Sequence, residues 1–267
     1  DFDADGSWSQ TGDQIFASRP LAPGVNTLTF TVPAAAAASG KTFARFRISS
    51  AGGLSCAGPA GDGEVEDYQV VVQPPVFLGG SQDDDFTFST DGVTHTVTVA
   101  LKPQADLITR TFDASINRLI RFDGMDGQDR IRVAGGPGDE TAMLAESSGT
   151  VAAPGYSVTI TSVEQISIDA GPGANQSATI EDGAGNDSFY GAYDAGKNEL
   201  RGSMYYDHAG AISVWGFTEV EAKALRGGLD QAILIDGPGD DTFTGQLMDS
   251  RLQYAAGGTI RATGFRQ

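Results

Sequence analysis

Residues 42–48 read Thr-Phe-Ala-Arg-Phe-Arg-Ile, an alternation that gives an extended segment one apolar and one polar face. A period of two marks a half-buried strand, because successive side chains point to opposite sides. Short runs rich in Val, Ile, Thr and Phe recur along the chain, separated by turn-forming Gly, Pro, Asp and Asn. Early in the chain they predict strands over residues 14–17, 27–32, 42–49 and 65–72. Later they predict strands over residues 94–101, 156–160, 165–168, 178–180 and 233–235. No long segment has the helical period, so the pattern specifies an all-β chain.

The texture changes at Pro74-Pro75, which fits a boundary between a first unit, residues 1–73, and a second, residues 76–267. In the second unit the shape Gly-x-(Asp/Asn)-x-apolar recurs in pairs that begin at Gly127 and Gly138, at Gly173 and Gly185, and at Gly228 and Gly239. The clearest match sets Asp182-Gly-Ala-Gly-Asn-Asp-Ser-Phe-Tyr-Gly191 against Asp236-Gly-Pro-Gly-Asp-Asp-Thr-Phe-Thr-Gly245. A weaker copy at Gly79–Phe86 opens the series. One such unit cannot bury its apolar face alone, so the units must stack. The expected architecture is a truncated β-sandwich-like domain followed by a β-solenoid resembling a parallel β-helix. A chain of sandwiches is the alternative that spacing leaves open.

Charge narrows the partners. Seventeen Lys and Arg stand against 35 Asp and Glu, a formal charge of −18 over 267 residues. Such a surface repels phosphate backbones and attracts divalent cations, so nucleic acid is not an expected partner. Two histidines and one cysteine exclude a histidine- or cysteine-rich zinc site and a disulfide within the chain. No apolar run reaches the length of a membrane-spanning helix. The chain opens inside a motif at Asp1, and its end, Gly264-Phe265, repeats Gly216-Phe217, so both ends are expected to be cuts in a longer chain.

The opening Asp1-Phe2-Asp3-Ala4-Asp5-Gly6-Ser7-Trp8 carries the sharpest chemistry. Calcium takes about six to eight oxygen ligands from a flexible loop. Asp1, Asp3 and Asp5 alternate and Gly6 supplies the bend, so three carboxylates can converge, with the Ser7 carbonyl beside them. The twelfth position, where an EF-hand places a bidentate Glu, is Gly12, and Asp13 follows one step late. A loop of different geometry that uses Asp13 is therefore expected, with a solvated acidic turn as the plain alternative. A second acidic group, Glu64-Val65-Glu66-Asp67, sets Glu64 and Glu66 on one face of a strand. That pair reads as a charged edge, a metal clamp or, least of all, an acid/base pair.

Gly63-Glu64-Val65-Glu66-Asp67-Tyr68 resembles the motif that names the GEVED domain, and the Asp-x-Asp-x-Asp-Gly-x-Trp opening and the Phe43–Arg47 strand are similar to that family as well. The resemblance covers about residues 1–72 and implies a non-enzymatic display or adhesion module of large secreted or surface-anchored bacterial proteins. Combined with the loop, it gives the expectation that Glu64, Glu66 or Asp67 completes a calcium shell. The second unit resembles the repeats of giant planctomycete-type surface proteins. More distantly it is similar to the calcium nonapeptides of hemolysin-type (RTX) proteins, which places Asp187, Asp241 and Asp129 at ligand positions. Here, however, Glu140 and Asn175 replace Asp in two turns, and the turns do not follow one another directly. Structural corners are the preferred reading, with Gly supplying positive φ and Asp binding the turn backbone.

Other constellations point less far. No Gly-x-Ser-x-Gly elbow occurs, and His95 lies in an alternating strand. Arg110, Arg118, Arg121, Arg130 and Arg132 form a basic group in the sequence that a β-helix polysaccharide lyase could use. Trp8, Trp215, Tyr205 and Tyr206 could line a sugar-binding face. The expected function is a non-catalytic, calcium-binding structural or adhesion module, extracellular or on a bacterial cell surface. A monomer is expected, facing cell-surface glycans or neighbouring domains of the same chain. A carbohydrate-binding accessory module and a polysaccharide lyase or hydrolase are the rivals.

Overall fold

The computed structural model describes residues 1–2, 6–9, 13–30, 32, 40–72, 74–103, 106–115, 117–208 and 210–265. The chain is all-β and divides into two compact units, Asp1–Pro74 and Pro75–Gln267. No helix among the described residues is long and apolar enough to cross a membrane.

In the first unit, β1 (Gly40–Ile48) pairs antiparallel with β2 (Glu64–Val72), from Gly40 opposite Val72 to Ile48 opposite Glu64. The strands predicted at residues 14–17 and 27–32 are not strands where described. Before the second of them, the Asn26 side chain accepts from Ala22 N–H at 3.0 Å and donates to the Ala22 and Gly24 carbonyls at 2.8 and 2.9 Å. That closes a turn, and a β-rich run without a ladder partner does not become a strand. The alternation of β1 also fails to bury its apolar face. Phe46 and Tyr68 meet edge to face at 5.8 Å, yet are 57% and 53% exposed. Within the first unit, β1 and β2 form the one sheet among the described residues.

The second unit follows a rule of meanders and single strands. A short β3 (Val76–Leu78) leads into a meander of β4 (Asp85–Thr90), β5 (Thr94–Leu101) and β6 (Asp106–Asp113). Singles β7 (Leu119–Asp123) and β8 (Arg130–Ala134) precede the next meander, β9 (Thr141–Ala145), β10 (Ser148–Ala153) and β11 (Tyr156–Thr161). Singles β12 (Gln165–Asp169) and β13 (Ser177–Glu181) precede a third, β14 (Ser188–Asp194), β15 (Glu199–Tyr205) and β16 (Ala211–Trp215). Then β17 (Glu219–Lys223) and β18 (Gln231–Ile235) lead to β19 (Thr242–Gln246), β20 (Asp249–Gln253) and β21 (Thr259–Thr263).

Successive meanders enter opposite sheets. A 9-stranded sheet runs β18-β14-β15-β16-β12-β8-β4-β5-β6, and a 10-stranded sheet runs β19-β20-β21-β17-β13-β9-β10-β11-β7-β3. Neither closes into a barrel. Pairing inside a meander is antiparallel, as in β4–β5 and β14–β15. Pairing between successive turns of the chain is parallel, as in β4–β8, β8–β12 and β9–β13. The parallel contacts expected of a stacked array are therefore present, with antiparallel strands interleaved.

Period-two alternation builds the core between the sheets. In the 9-stranded sheet Phe86, Ile131, Ile166, Ile212, Met204 and Phe189 stand in register on the inward face, all buried. The other sheet answers with Phe122, whose ring lies 5.7 Å from Phe86, and Tyr156, 5.4 Å from Phe88. Full burial of one such side chain stabilises by about 1.5–3 kcal/mol. At one place the sheets approach too closely for any side chain. Gly191 and Gly202 are partners across β14 and β15, and a Cβ on either would lie 2.7 Å from Ile260 or Val220 of the facing sheet. The stack ends at β18 and β19. Phe243 occupies the place in its meander that Phe86 and Phe189 occupy in theirs, but it is 61% exposed where they are buried.

Candidate cation sites and the acidic corners

In the first unit the predicted loop brings Asp1 and Asp13 together. Their side chains are 3% and 5% exposed. Phe2 N–H donates to Asp13 Oδ1 at 3.0 Å and Gly6 N–H donates to Asp1 Oδ2 at 3.2 Å. The Thr42 hydroxyl on β1 donates to the Asp1 carbonyl, which ties the start of the loop to the sheet. The second oxygens, Asp1 Oδ1 and Asp13 Oδ2, are buried with no hydrogen-bond partner among the described residues. Leaving a buried acceptor unpaired costs about 1–3 kcal/mol, and more for a charged one. Oxygens in that state suit a hard cation, and calcium would accept both. Asp3 and Asp5 lie outside the described residues. Ser7 sits in the same loop, its hydroxyl 2.8 Å from that of Ser9.

The Gly-Glu-Val-Glu-Asp motif has a different geometry from the one expected. Gly63 has φ +100°, and a Cβ there would lie 1.7 Å from the Ile48 carbonyl oxygen. Glycine is thus needed where β2 begins to pair with β1. Asp67 faces β1, taking Arg45 Nε at 2.7 Å and Nη2 at 2.6 Å in a bidentate pair. The Arg45 guanidinium in turn lies over the Trp8 ring, 3.8 Å from its centroid. Each partner holds the other's ionisation: the Arg45 hydrogen bond lowers the Asp67 pKa, and Asp67 raises that of Arg45. Glu64 and Glu66 are exposed on β2 opposite Ile48 and Phe46. Phe46 is four residues along β1 from Thr42, the strand residue that holds Asp1, or roughly 13 Å at the rise of a strand.

In the second unit the Gly-x-Asp turns are corners fastened by carboxylates. The amide four residues before the acid donates to it: Gly80 to Asp84 at 2.6 Å, Gly136 to Glu140 at 3.2 Å, Gly183 to Asp187 at 2.7 Å and Gly237 to Asp241 at 2.8 Å. The other oxygen of each Asp reaches past the first hairpin of the meander. Asp84 takes the Lys102 amide at 2.8 Å, Asp187 that of Asp207 at 3.0 Å and Asp241 that of Ala255 at 2.8 Å. Glu140 differs: the Tyr156 hydroxyl donates at 3.1 Å to Oε1, the same oxygen that takes Gly136, and Oε2 takes Gln176 Nε2 at 2.9 Å. Asp187 and Asp241, which the nonapeptide resemblance put at ligand positions, therefore have both oxygens engaged by the backbone. Each corner is stitched to the next: Asp84 N–H to Asp129 Oδ1 at 2.6 Å, Asp129 N–H to Glu164 Oε2 at 2.9 Å and Asp187 N–H to Asp230 Oδ1 at 3.0 Å.

Stacking of these corners gathers Asp182, Asp187 and Asp230, all buried, with one oxygen from each within 4.8 Å of the others. Asp182 takes the Leu225 amide at 2.8 Å and the Arg226 amide at 2.9 and 3.1 Å. Sequence reasoning singled out Asp187 but not Asp182 or Asp230, although the turns that hold them were visible as repeats. The four-residue spacing Gly80–Asp84, Gly136–Glu140, Gly183–Asp187 and Gly237–Asp241 was the readable signal.

Asp129 is the exception among the corners. It is fully buried, its Oδ2 has no partner, and burial with the nearby Asp84, Glu164 and Asp83 carboxylates pushes its pKa up to about 6. Glu140 is also raised by burial, against the donors Gln176, Tyr156 and Gly136. Gln176 keeps that corner from holding two charges: its Nε2 donates to Glu140 Oε2 at 2.9 Å and to the Ala170 and Gly171 carbonyls at 2.8 and 2.9 Å.

The remaining candidates separate. His95 is buried between Phe88 and Tyr156, ring centroids 5.3 and 5.7 Å away, and burial lowers its pKa. Arg121 belongs to β7 in one sheet, whereas Arg110, Arg130 and Arg132 belong to the other. Tyr206 is 6% exposed, its hydroxyl donating to the Glu181 carbonyl at 2.8 Å, while its neighbour Tyr205 is 51% exposed.

No curated protein and no solved structure matches this chain. In the first unit, residues 1–71 match the GEVED domain.

Proposed function

We propose that this chain is a non-catalytic, calcium-binding structural or adhesion module of a large secreted or cell-surface bacterial protein. The observation that carries the reading is the pair of buried, unpartnered carboxylate oxygens, Asp1 Oδ1 and Asp13 Oδ2, within one acidic loop. Two such oxygens repel each other when ionised, and a cation between them removes both the repulsion and the desolvation penalty. Asp3, Asp5 and the Ser7 carbonyl would complete the shell. Asp67 acts as the anchor of Arg45 and Trp8, and Glu64 and Glu66 as a charged strand edge.

The second unit is, in this reading, a solenoid-like spacer. Its buried acids serve mainly as acceptors for backbone amides at corners. The arginines that a lyase would need are divided between two sheets, which supports a non-enzymatic role. The acidic surface and the GEVED match favour a surface setting.

Thermal unfolding of the full chain, followed with calcium and with a chelator, tests the proposal. Ligand that binds only the folded state raises its Tm, by about 2.7 kcal/mol of stabilisation at a hundredfold excess over Kd. Calcium is expected to raise the transition reported by Trp8 and to do so no longer in Asp13→Asn. An Asp230→Asn variant should keep the effect. Calcium without effect on the wild-type transition, and without heat in titration calorimetry, would reject the reading.

A further inference from the structure

We propose that the solvent face of the 9-stranded sheet binds an anionic polysaccharide, a polymer of uronic acids, across β8, β12, β16, β15 and β14. Strand register puts the relevant side chains on one surface. Arg132, Ser167, Ser213, Ser203 and Tyr190 form a single outward row, each opposite the next. Strands lie about 4.8 Å apart, so the row spans about 19 Å, the scale of an extended oligosaccharide rather than a single sugar. The neighbouring outward row carries Arg130 at one end and Tyr205 at the other. Trp215 stands in the row beyond, with the Arg132 guanidinium 5.8 Å from its ring.

Three features make this face a receptor rather than a plain surface. Tyr190 and Tyr205 are 40% and 51% exposed and meet at 5.7 Å, leaving ring surface open to solvent where a polar residue would cost nothing. Rings of this kind are amphipathic and suit a ligand with apolar faces and hydroxyl edges, as sugars have. Between the rings and the arginines lies a line of hydroxyls, with Ser203 and Ser213 3.1 Å apart. Finally, Arg130 and Arg132 are exposed and form no ion pair among the described residues; Asp85, which stands opposite Arg130 across β4, pairs instead with Lys102 at 3.5 Å. A guanidinium fork matches a carboxylate bidentately, so arginines outside any ion pair favour acidic over neutral sugars.

The opposite sheet shows the contrast. Its outer groove, about 580 Å³, contains Arg261, but that residue is already held by Asp249 at 2.8 Å and lies 3.6 Å from Glu221. The overall negative charge does not forbid a polyanion here, since at physiological salt the Debye length is about 8 Å and local groups decide.

Polygalacturonate and a neutral glucan, each titrated into the full chain in the presence of a chelator, test the inference independently of any calcium site. Polygalacturonate is expected to bind and to weaken with added salt. Arg132→Gln should lower its affinity at least tenfold, Tyr205→Ser and Tyr190→Ser severalfold, and Arg121→Gln on the other sheet not at all, with Tm unchanged in each. No binding of polygalacturonate, equal binding of the neutral glucan, or wild-type affinity in a folded Arg132→Gln would overturn it.

Discussion

The backbone N–H of Asp84 donates to Oδ1 of Asp129 at 2.6 Å, and both acids are buried one strand apart in the same line of corners. The bond fixes the register of β4 on β8, yet the second oxygen of Asp129 is left without a donor. Its folded pKa of about 6 lies above the ordinary carboxylate value. The folded state therefore binds this proton more tightly than the unfolded chain. The stability that results is fully present below the unfolded pKa and is lost as pH rises through about 6. Asp129→Asn keeps an acceptor for Asp84 and should raise stability at pH 7 by about 1–2 kcal/mol after allowance for solvent screening, with no gain at pH 4. Denaturant melts of both proteins at the two pH values check this. Equal curves at pH 7 would refute it.

The Glu140 corner should behave in the opposite sense when its donors are removed. Tyr156→Phe deletes a buried hydroxyl bond to a carboxylate that burial already disfavours. A loss of about 1.5–3 kcal/mol is expected, as for hydrogen bonds to charged groups. Gln176→Glu is a harsher change, since it replaces an amide bonded to Glu140, Ala170 and Gly171 with a second buried acid. It should cost more than Tyr156→Phe at pH 7 and recover part of the difference at pH 4, where one of the two acids is protonated. Urea midpoints at both pH values give the comparison.

How much of this was legible depends on the range of the interaction. The strand Thr94–Leu101 was read with its observed bounds, because its alternation His95, Val97, Val99 is local and buried as the pattern says. The exchange of meanders between sheets was not legible. Corners entering either sheet carry the same Gly-x-Asp chemistry, and both sheets bury the same apolar period. At the loop, Asp1 and Asp13 were readable because the contact is short in sequence. Asp182 and Asp230 were not, because only parallel stacking of β13 on β17 and β14 on β18 brings their corners together. The apolar face of β1 misled for the converse reason: alternation predicts a face to be covered, not the layer that covers it.

Position in the stack should set the price of equivalent residues. Phe189 is fully buried in the third meander, and Phe189→Ala should destabilise the second unit by about 3–5 kcal/mol. Phe243, on the end strand, should lose less than about 1 kcal/mol on the same change, because most of its surface already meets water. Chemical denaturation of the two variants separates them. Similar losses would mean that the β18–β19 end is covered in solution.

Gly63 offers a test of what the Gly-Glu-Val-Glu-Asp motif does. Its φ of +100° and the 1.7 Å approach to the Ile48 carbonyl leave no room for a methyl group, so Gly63→Ala must move either the turn or β2. Moving β2 withdraws Asp67 from Arg45, and with it the guanidinium from the Trp8 ring. Trp8 emission should then shift red and the first unit unfold at lower denaturant, while the core of the second unit keeps its own transition. Asp67→Asn serves as the milder companion: it retains the turn, weakens the bidentate pair and should produce a smaller shift of the same sign. If Gly63→Ala changes neither Trp8 emission nor the first transition, the motif's glycine is not the hinge that the geometry describes, and the role of Asp67 would have to be sought in solvent rather than in the fold.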